Sequence, residues 1–440
     1  MPIPIKFGTK EINDPDFTPK TTKDKDGKET TEPHKQITVD DIINNPNPAW
    51  TKQPADLTDE DYKEFYRELY PMQFEEPLFN IHLNVDYPFN LTGILYFPKL
   101  TNDISIQKDK IQLYQNQVYV TDNVEGIVPE FLTMLRGVID SPDIPLNVSR
   151  SYLQADGNVK KISSYITRKV ADKLKSLFND NREDFEKKWD DIKIVIEYGM
   201  LSEEKFFEKA DAFALYPSVD GTYYTYEELY NKIKANQTDK DDKLVILYAS
   251  DKDAQHSYIE AAKAKGYEVL LLDSPIVSHL IQKLETSKEK ISFARVDADH
   301  IDNLINKEDT QISKLTEEEK IKLDELLKEV IPSDKFTVQL EAMDSNAAPF
   351  IITQPEFMRR MKEMQQTGGG GMFGMGNMPE MYNLVVNTNN ELVTQIVNTK
   401  TRKKQERLVN QSLDLARLSQ GLLKGEELTN FIKRSYDMIK

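Results

Sequence analysis

The sequence predicts a chain of α/β and α+β domains, and three stretches carry that expectation. Runs rich in aromatic and branched residues at 78–85, 91–97 and 110–120 read as strands separated by turn residues. They precede a helical stripe of Val159, Ile162, Ile166, Val170, Leu174 and Leu177. The continuous apolar runs 243–249 and 267–272 flank a helical segment at 254–265, the order of a βαβ unit with parallel strands. The chain ends in strand-like runs followed by two striped helices. The expected architecture is a layered α/β part, a smaller βαβ unit, and an α+β C-terminal domain.

Taken in order, Ile3, Ile5 and Phe7 alternate with Pro2, Pro4 and Lys6, the pattern of a short edge strand. Residues 8–36 are polar and charged and are punctuated by Pro15, Pro19, Gly27 and Pro33, so they read as a flexible linker. A strand that leads straight into a linker reads as the end of a domain absent from this sequence. Order resumes at Asn47-Pro48-Ala49-Trp50. Thr58 with Asp61 then caps a helix through Tyr62, Phe65, Tyr66 and Leu69. A helix is expected at 129–139, and others at 185–198 and 202–214. Thr225 with Glu228 and Thr316 with Glu319 are capping boxes, and Gly266 sits where a helix C-cap glycine belongs. Strands are expected at 336–343, 350–353, 384–386 and 392–397. The implied divisions are 1–45 (the strand remnant and linker), 46–298 (46–180 and 181–298) and 299–440.

Composition narrows the chemistry. The absence of cysteine excludes disulfides, thiol catalysis and thiolate metal sites, and five histidines scattered at 34, 82, 256, 279 and 300 give no metal site. A net charge of −17 opposes a polyanion, so no nucleic-acid partner is expected. The basic stretch from Lys400 to Arg407 reads as a solvated helix start. No apolar run approaches the roughly 20 residues of a membrane helix, and the first residues lack a secretory pattern. A soluble cytoplasmic protein without a membrane partner is expected. No Gly-x-Gly-x-x-Gly follows either strand of the βαβ unit, so a dinucleotide site has no support.

Four features carry candidate function. In the segment 143–154, Pro145 stiffens the approach and Ser149 can cap a turn that puts Arg150 and Gln154 on one face. A guanidinium on a preorganised loop suits a transferring phosphoryl group, and a surface or structural arginine is the alternative. Between 357 and 381, Phe357, Met358, Met361 and Met364 share a helical face, followed by glycines at 368–371 with Met372 and Phe373. Unbranched thioethers make adaptable apolar surfaces, and packing within the domain is the alternative. The four glycines at 368–371, together with the charges at Arg359, Arg360, Lys362 and Glu363, imply a poorly anchored segment. Trp50 is either an exposed contact or the anchor of the linker. Leu408, Leu415, Leu418 and Leu422 stripe the first terminal helix, and Leu428, Phe431 and Ile432 stripe the second. These stripes can be buried within their own domain or against a second copy.

The segment Leu146-Asn147-Val148-Ser149-Arg150, with Arg136-Gly137-Val138-Ile139-Asp140-Ser141 before it, closely resembles the middle-domain signature of the bacterial 90-kDa heat-shock chaperones. Pro48-Ala49-Trp50-Thr51, Tyr62-Lys63-Glu64-Phe65-Tyr66, Gly93-Ile94-Leu95-Tyr96-Phe97-Pro98, Val118-Tyr119-Val120-Thr121-Asp122-Asn123 and Val128-Pro129-Glu130-Phe131-Leu132 match in order and spacing. The resemblance covers about 46–440, densely to about 178.

The resemblance implies an ATP-dependent folding chaperone whose nucleotide-binding domain is not in this sequence. Arg150 would reach the ATP γ-phosphate, with Gln154 supporting the loop and Asn147 shaping it. ATP with magnesium would serve the full-length protein, and none is expected on this chain alone. The resemblance further implies client contact through Trp50 and the Phe357–Phe373 residues named above, with homodimerisation through the terminal helices. The glycine-rich insertion departs from the family pattern. The alternatives are a nucleotide-independent holdase or scaffold, and a transducer domain of a topoisomerase or mismatch-repair ATPase. The acidic charge opposes the last of these.

Overall fold

A computed structural model describes residues 3–19, 21–23, 29–99, 110–145, 157–306, 311–367 and 381–439. The chain divides into two compact units, Met1–Val195 and Ile196–Lys440.

The first unit opens with β1 (Lys6–Asn13), β2 (Thr21–Lys23), β3 (Glu29–Thr31) and β4 (Gln36–Ile42). β1 pairs antiparallel with β4, and β2 with β3. The stretch expected to be a linker therefore carries paired backbone. Its ladder matches Ile12 with Ile37 and Lys10 with Val39, and salt bridges Lys6–Asp40 (2.6 Å) and Lys10–Asp41 (3.0 Å) flank it. Main-chain pairing, not core burial, makes the strands, so a count of apolar residues misses them.

Helix α1 (Asp59–Leu69) starts at the expected N-cap, which is a full capping box in which Thr58 and Asp61 exchange hydrogen bonds. It packs Tyr62, Phe65 and Tyr66 into a cluster with Tyr70, Ile94, Tyr96 and Val138. That cluster lies on a five-stranded sheet of β5 (Phe79–Val85), β6 (Leu91–Phe97), β7 (Ile111–Gln115), β8 (Val118–Thr121) and β9 (Arg136–Asp140), ordered β5-β6-β9-β7-β8. The run expected as one strand over 110–120 is a hairpin. Asn116 and Gln117 both take positive φ (50° and 63°), as a two-residue loop demands. The helix expected at 129–139 is a short 3₁₀ turn, Glu130–Leu132, followed by the central strand β9. All five β9 residues are buried, so apolar neighbours on both faces erase the alternation that would have marked a strand. Gly137 (φ 129°) lies so close to β6 that a Cβ there would sit 2.0 Å from the Ile94 carbonyl oxygen. Helices α2 (Gly157–Asp180), α3 (Arg182–Lys187) and α4 (Trp189–Ser202) follow. The α2 stripe is buried as expected up to Leu174, and Phe185 and Trp189 are buried beyond it.

The second unit continues with α5 (Glu204–Ala210), β10 (Tyr216–Pro217), β11 (Tyr223–Tyr224) and α6 (Tyr226–Ile233). The βαβ unit appears as β12 (Leu244–Ala249), α7 (His256–Ala264) and β13 (Val269–Leu271), with Gly266 at φ 74° after the helix. After α8 (Val277–Ser287), β14 (Ile291–Arg295) returns to the other side of β12, giving a parallel sheet ordered β13-β12-β14. Next come α9 (Ile301–Leu304), α10 (Glu317–Val330), β15 (Phe336–Glu341), β16 (Phe350–Thr353), α11 (Glu356–Thr367), β17 (Tyr382–Asn387), α12 (Glu391–Asn398), α13 (Arg402–Ser419) and α14 (Gly425–Ile439). The sheet β15-β17-β16 is mixed, and α10, α12 and α13 cover one core with it. The strand expected at 392–397 is α12. Asn390 caps it through the Leu392 amide (2.9 Å), and Val393 and Ile396 fill the core at helical spacing.

Candidate functional site

Asn147, Arg150 and Gln154 lie outside the described residues, as do Met372, Phe373 and the glycines at 368–371. Trp50 sits in a 3₁₀ turn, Ala49–Thr51, and is 6% exposed. Its ring packs 5.5 Å from Phe65 and 5.0 Å from Tyr114, and its Nε1 donates to Asp140. Placed this way, Trp50 is an anchor, and the ring presents no surface to a client in this conformation.

The Met-rich helix α11 follows β16 after Gln354-Pro355. Glu356, Arg359, Arg360 and Glu363 recur at i, i+3, i+4 and i+7 and therefore share a face. That face points inward. Arg359 is 4% exposed, and its Nη1 donates to Glu363 at 2.6 Å. Its Nη2 donates to Glu356 and to the Tyr248 hydroxyl of β12, both at 2.5 Å. Arg360 donates to Glu356 (2.6 Å), to both carboxylate oxygens of Glu285 on α8 (2.8 and 3.3 Å), and to the Phe293 carbonyl (2.6 Å). Glu363 accepts from Ser278 of α8 and lies 3.5 Å from Arg295 of β14. Arg295 in turn pairs with Asp297 at 2.6 Å, on the wall of a cleft of about 200 Å³ at the carboxyl ends of β12 and β14.

Burial would raise the Glu356 carboxyl, but the guanidiniums of Arg359 and Arg360 overcome it and hold it below the usual carboxylate range. Burial pushes the Tyr248 hydroxyl well above its ordinary range, reinforced by Glu356. That hydroxyl is therefore a hydrogen-bonding group at neutral pH. Lys362 is exposed and the glycines lie outside the described residues, but three of the charges read as loosening this segment, Arg359, Arg360 and Glu363, instead pin the helix. Their partners lie on β12, α8 and β14, tens of residues away in sequence. The Glu/Arg spacing alone could have flagged only the pairs within the helix.

With Arg359 turned in, α11 turns Phe357 and Met358 out. Phe357 is 71% exposed and Met358 is exposed, while Met361 and Met364 are half-buried. A surface helix ordinarily has the opposite polarity.

The terminal helices divide the expected stripes. Leu408 and Leu422 pack on the core of their own unit, Phe431 is buried and Leu428 half-buried. Leu415 (50%), Leu418 and Ile432 remain exposed, with Tyr436 beside them in exposure. The two helices are joined by polar pairs: Gln411 to Ser435 (2.9 Å), and Arg434 to Gln411 (2.8 Å) and Asp414 (2.5 Å). Among the described residues no group of three or more His, Asp or Glu could hold a metal ion, and no helix is long and apolar enough to cross a membrane.

A family model described as Hsp90 protein matches residues 7–440. The chain belongs to the Hsp90 protein family. It is similar to the chaperone protein HtpG of Bacteroides fragilis (strain YCH46), 47% identical over 506 aligned positions that cover 100% of this chain and 72% of that protein. HtpG of Porphyromonas gingivalis (strain W83) is 50% identical, covering 97% of this Hsp90-family chain and 60% of its own length. HtpG of Oceanobacillus iheyensis is 31% identical over 61% of this chain and 43% of its own length.

Proposed function

We propose that this Hsp90-family chain works as part of a molecular chaperone that receives unfolded or partly folded proteins on the outward apolar face of α11. The observation that carries the reading is the inverted polarity of that helix, with Phe357 and Met358 in solvent and Arg359 in the interior. Exposed methionine and phenylalanine on a pinned helix offer an adaptable contact for many apolar sequences. The names of the similar proteins support the same reading.

In this reading Asn147, Arg150 and Gln154 form the loop that serves ATP hydrolysis, with Arg150 stabilising the γ-phosphate charge. A nucleotide-binding domain outside these residues would hold ATP and magnesium. The signature around Arg150 supports this. Residues 46–180, 181–298 and 299–440 act as the larger α/β part, the smaller α/β part and the dimerisation domain of a cytoplasmic homodimer. The exposed Leu415, Leu418 and Ile432 support the pairing of two copies.

The test is suppression of aggregation of a chemically unfolded protein by the intact chain, without nucleotide. Phe357→Ser with Met358→Ser should weaken it severalfold. Unchanged suppression would remove α11 from client binding. A holdase without ATP chemistry is the second reading. It would be favoured if the chain joined to a nucleotide-binding domain of the family binds clients equally well with Arg150→Ala.

A further inference from the structure

The polar face of α11 is built in a way that apolar docking does not require. Three arginines (295, 359, 360) and four carboxylates (Glu285, Asp297, Glu356, Glu363) meet across α8, β14 and α11, with the Tyr248 hydroxyl of β12 among them. Buried ion pairs gain little net free energy, because the desolvation of both partners offsets their attraction. Compensation here is incomplete. The Nε of Arg359 and one carboxylate oxygen of Glu356 are buried with no hydrogen-bond partner among the described residues. The residues that ordinarily drive a helix onto its domain are, in Phe357 and Met358, directed to solvent. Specific charge pairing therefore holds the helix, with a small margin.

We infer that α11 is a clasp: the carboxylate–guanidinium cluster fixes the helix on the β12, α8 and β14 surface, and the helix opens as a unit while the sheets on either side stay folded. Removing one charge from the clasp leaves its partners with less compensation for their burial, Glu356 keeping Arg360 and Glu363 keeping Ser278 and Arg295, so the small margin is lost and the helix leaves. Removing both members of a pair lets it return. This deepens the client reading by giving the Phe357–Met358 face a closed, oriented state and an open, mobile one, and as a regulatory role it rests on that reading. The mechanical claim stands by itself.

Amide hydrogen exchange of the intact chain, followed by mass spectrometry on peptides covering Glu356–Thr367, tests it. Arg359→Met should raise exchange in α11 by about 100-fold, because it removes the buried guanidinium that joins Glu356, Glu363 and Tyr248 and leaves the two carboxylates only Arg360, Arg295 and Ser278 as compensation. Exchange in β12 and β17 should stay within about twofold of wild type. Glu363→Gln alone should give a smaller rise. The double variant Arg359→Met/Glu363→Gln should recover much of the protection lost in Arg359→Met, a reversal that a packing role for Arg359 would not produce. Unchanged exchange of α11 in Arg359→Met would overturn the clasp. So would an equal rise in α11, β12 and β17, or a double variant no better protected than the single one. If Phe357→Ser/Met358→Ser leaves aggregation suppression intact while Arg359→Met frees the helix, the client reading falls and the clasp stands.

Discussion

The indole nitrogen of Trp50 donates to a carboxylate oxygen of Asp140 at 3.1 Å, tying two residues 90 positions apart. The same oxygen accepts the Gln117 amide at 2.8 Å, so one carboxylate ends the central strand, closes the β7–β8 turn and fixes the 3₁₀ turn that carries Trp50.

Asp140→Leu would strand two donors at once. At about 1–3 kcal/mol for each unsatisfied buried group, the loss should reach roughly 2–5 kcal/mol in chemical denaturation. Trp50→Phe, which keeps much of the packing against Phe65 and Tyr114, should cost about 1–2 kcal/mol. A smaller cost for Asp140→Leu than for Trp50→Phe would contradict the shared-acceptor geometry.

Gly137→Ala should abolish soluble folding of the first unit. Its Cβ would meet the Ile94 carbonyl oxygen at 2.0 Å, a backbone atom that cannot swing aside, and φ is 129°. Gly8→Ala is the control. It also has positive φ, but nothing lies within 4 Å, so it should cost only about 1 kcal/mol. Similar expression of soluble chain for both variants would refute the close approach of β6 and β9.

The terminal helices should pair between copies through what they leave uncovered. Sedimentation of the intact chain is expected to give twice the chain mass, and Leu415→Asp with Ile432→Asp should give the single mass with helicity retained. Wild-type chain sedimenting as a monomer at tens of micromolar would end the dimer reading.

Acid should weaken α11 in a defined direction. The Glu356 carboxyl sits below its ordinary value of 4.5 when folded, despite burial, because Arg359 and Arg360 favour its ionised form. A lowered folded value means the contribution is present above 4.5 and is lost as pH falls through the lowered value. The groups facing it are Tyr248, Arg359 and Arg360, with Glu285 bridged through Arg360. Exchange protection of α11 should therefore be flat above pH 5 and decline below about 4.5, once the intrinsic pH dependence is removed. Glu356→Gln should flatten that decline. An unchanged acid limb would place it elsewhere.

How legible these features were depended on the range of the signal. The N-cap at Thr58 and the capping boxes at Thr225 and Thr316 form as read, the first of them also as a full capping box, because a cap is decided within three residues. The βαβ unit was legible because its strands are continuous apolar runs and Gly266 ends the helix between them. β9 was not, since a strand buried on every side loses its period. In α12, Val393 and Val397 suggested a strand, but Asn390 and the core-facing Val393 and Ile396 decided for a helix. At the site, the methionines pointed to the outward surface of α11, whereas its inward surface depends on Glu285, Arg295 and Tyr248, which no local spacing connects to it.

Trp50 and Trp189 are the two tryptophans of the sequence, and both are buried in the unit Met1–Val195. Intrinsic indole emission is therefore a one-sided gauge. A chain in which α11 has opened can still give the blue-shifted spectrum of a folded protein. A melting curve followed at the indole band records the surroundings of Trp50 and of Trp189, the latter on α4, which runs on to Ser202. A chromophore placed beyond residue 196, as in Phe357→Trp, would report on α11 and the second unit directly in the same experiment.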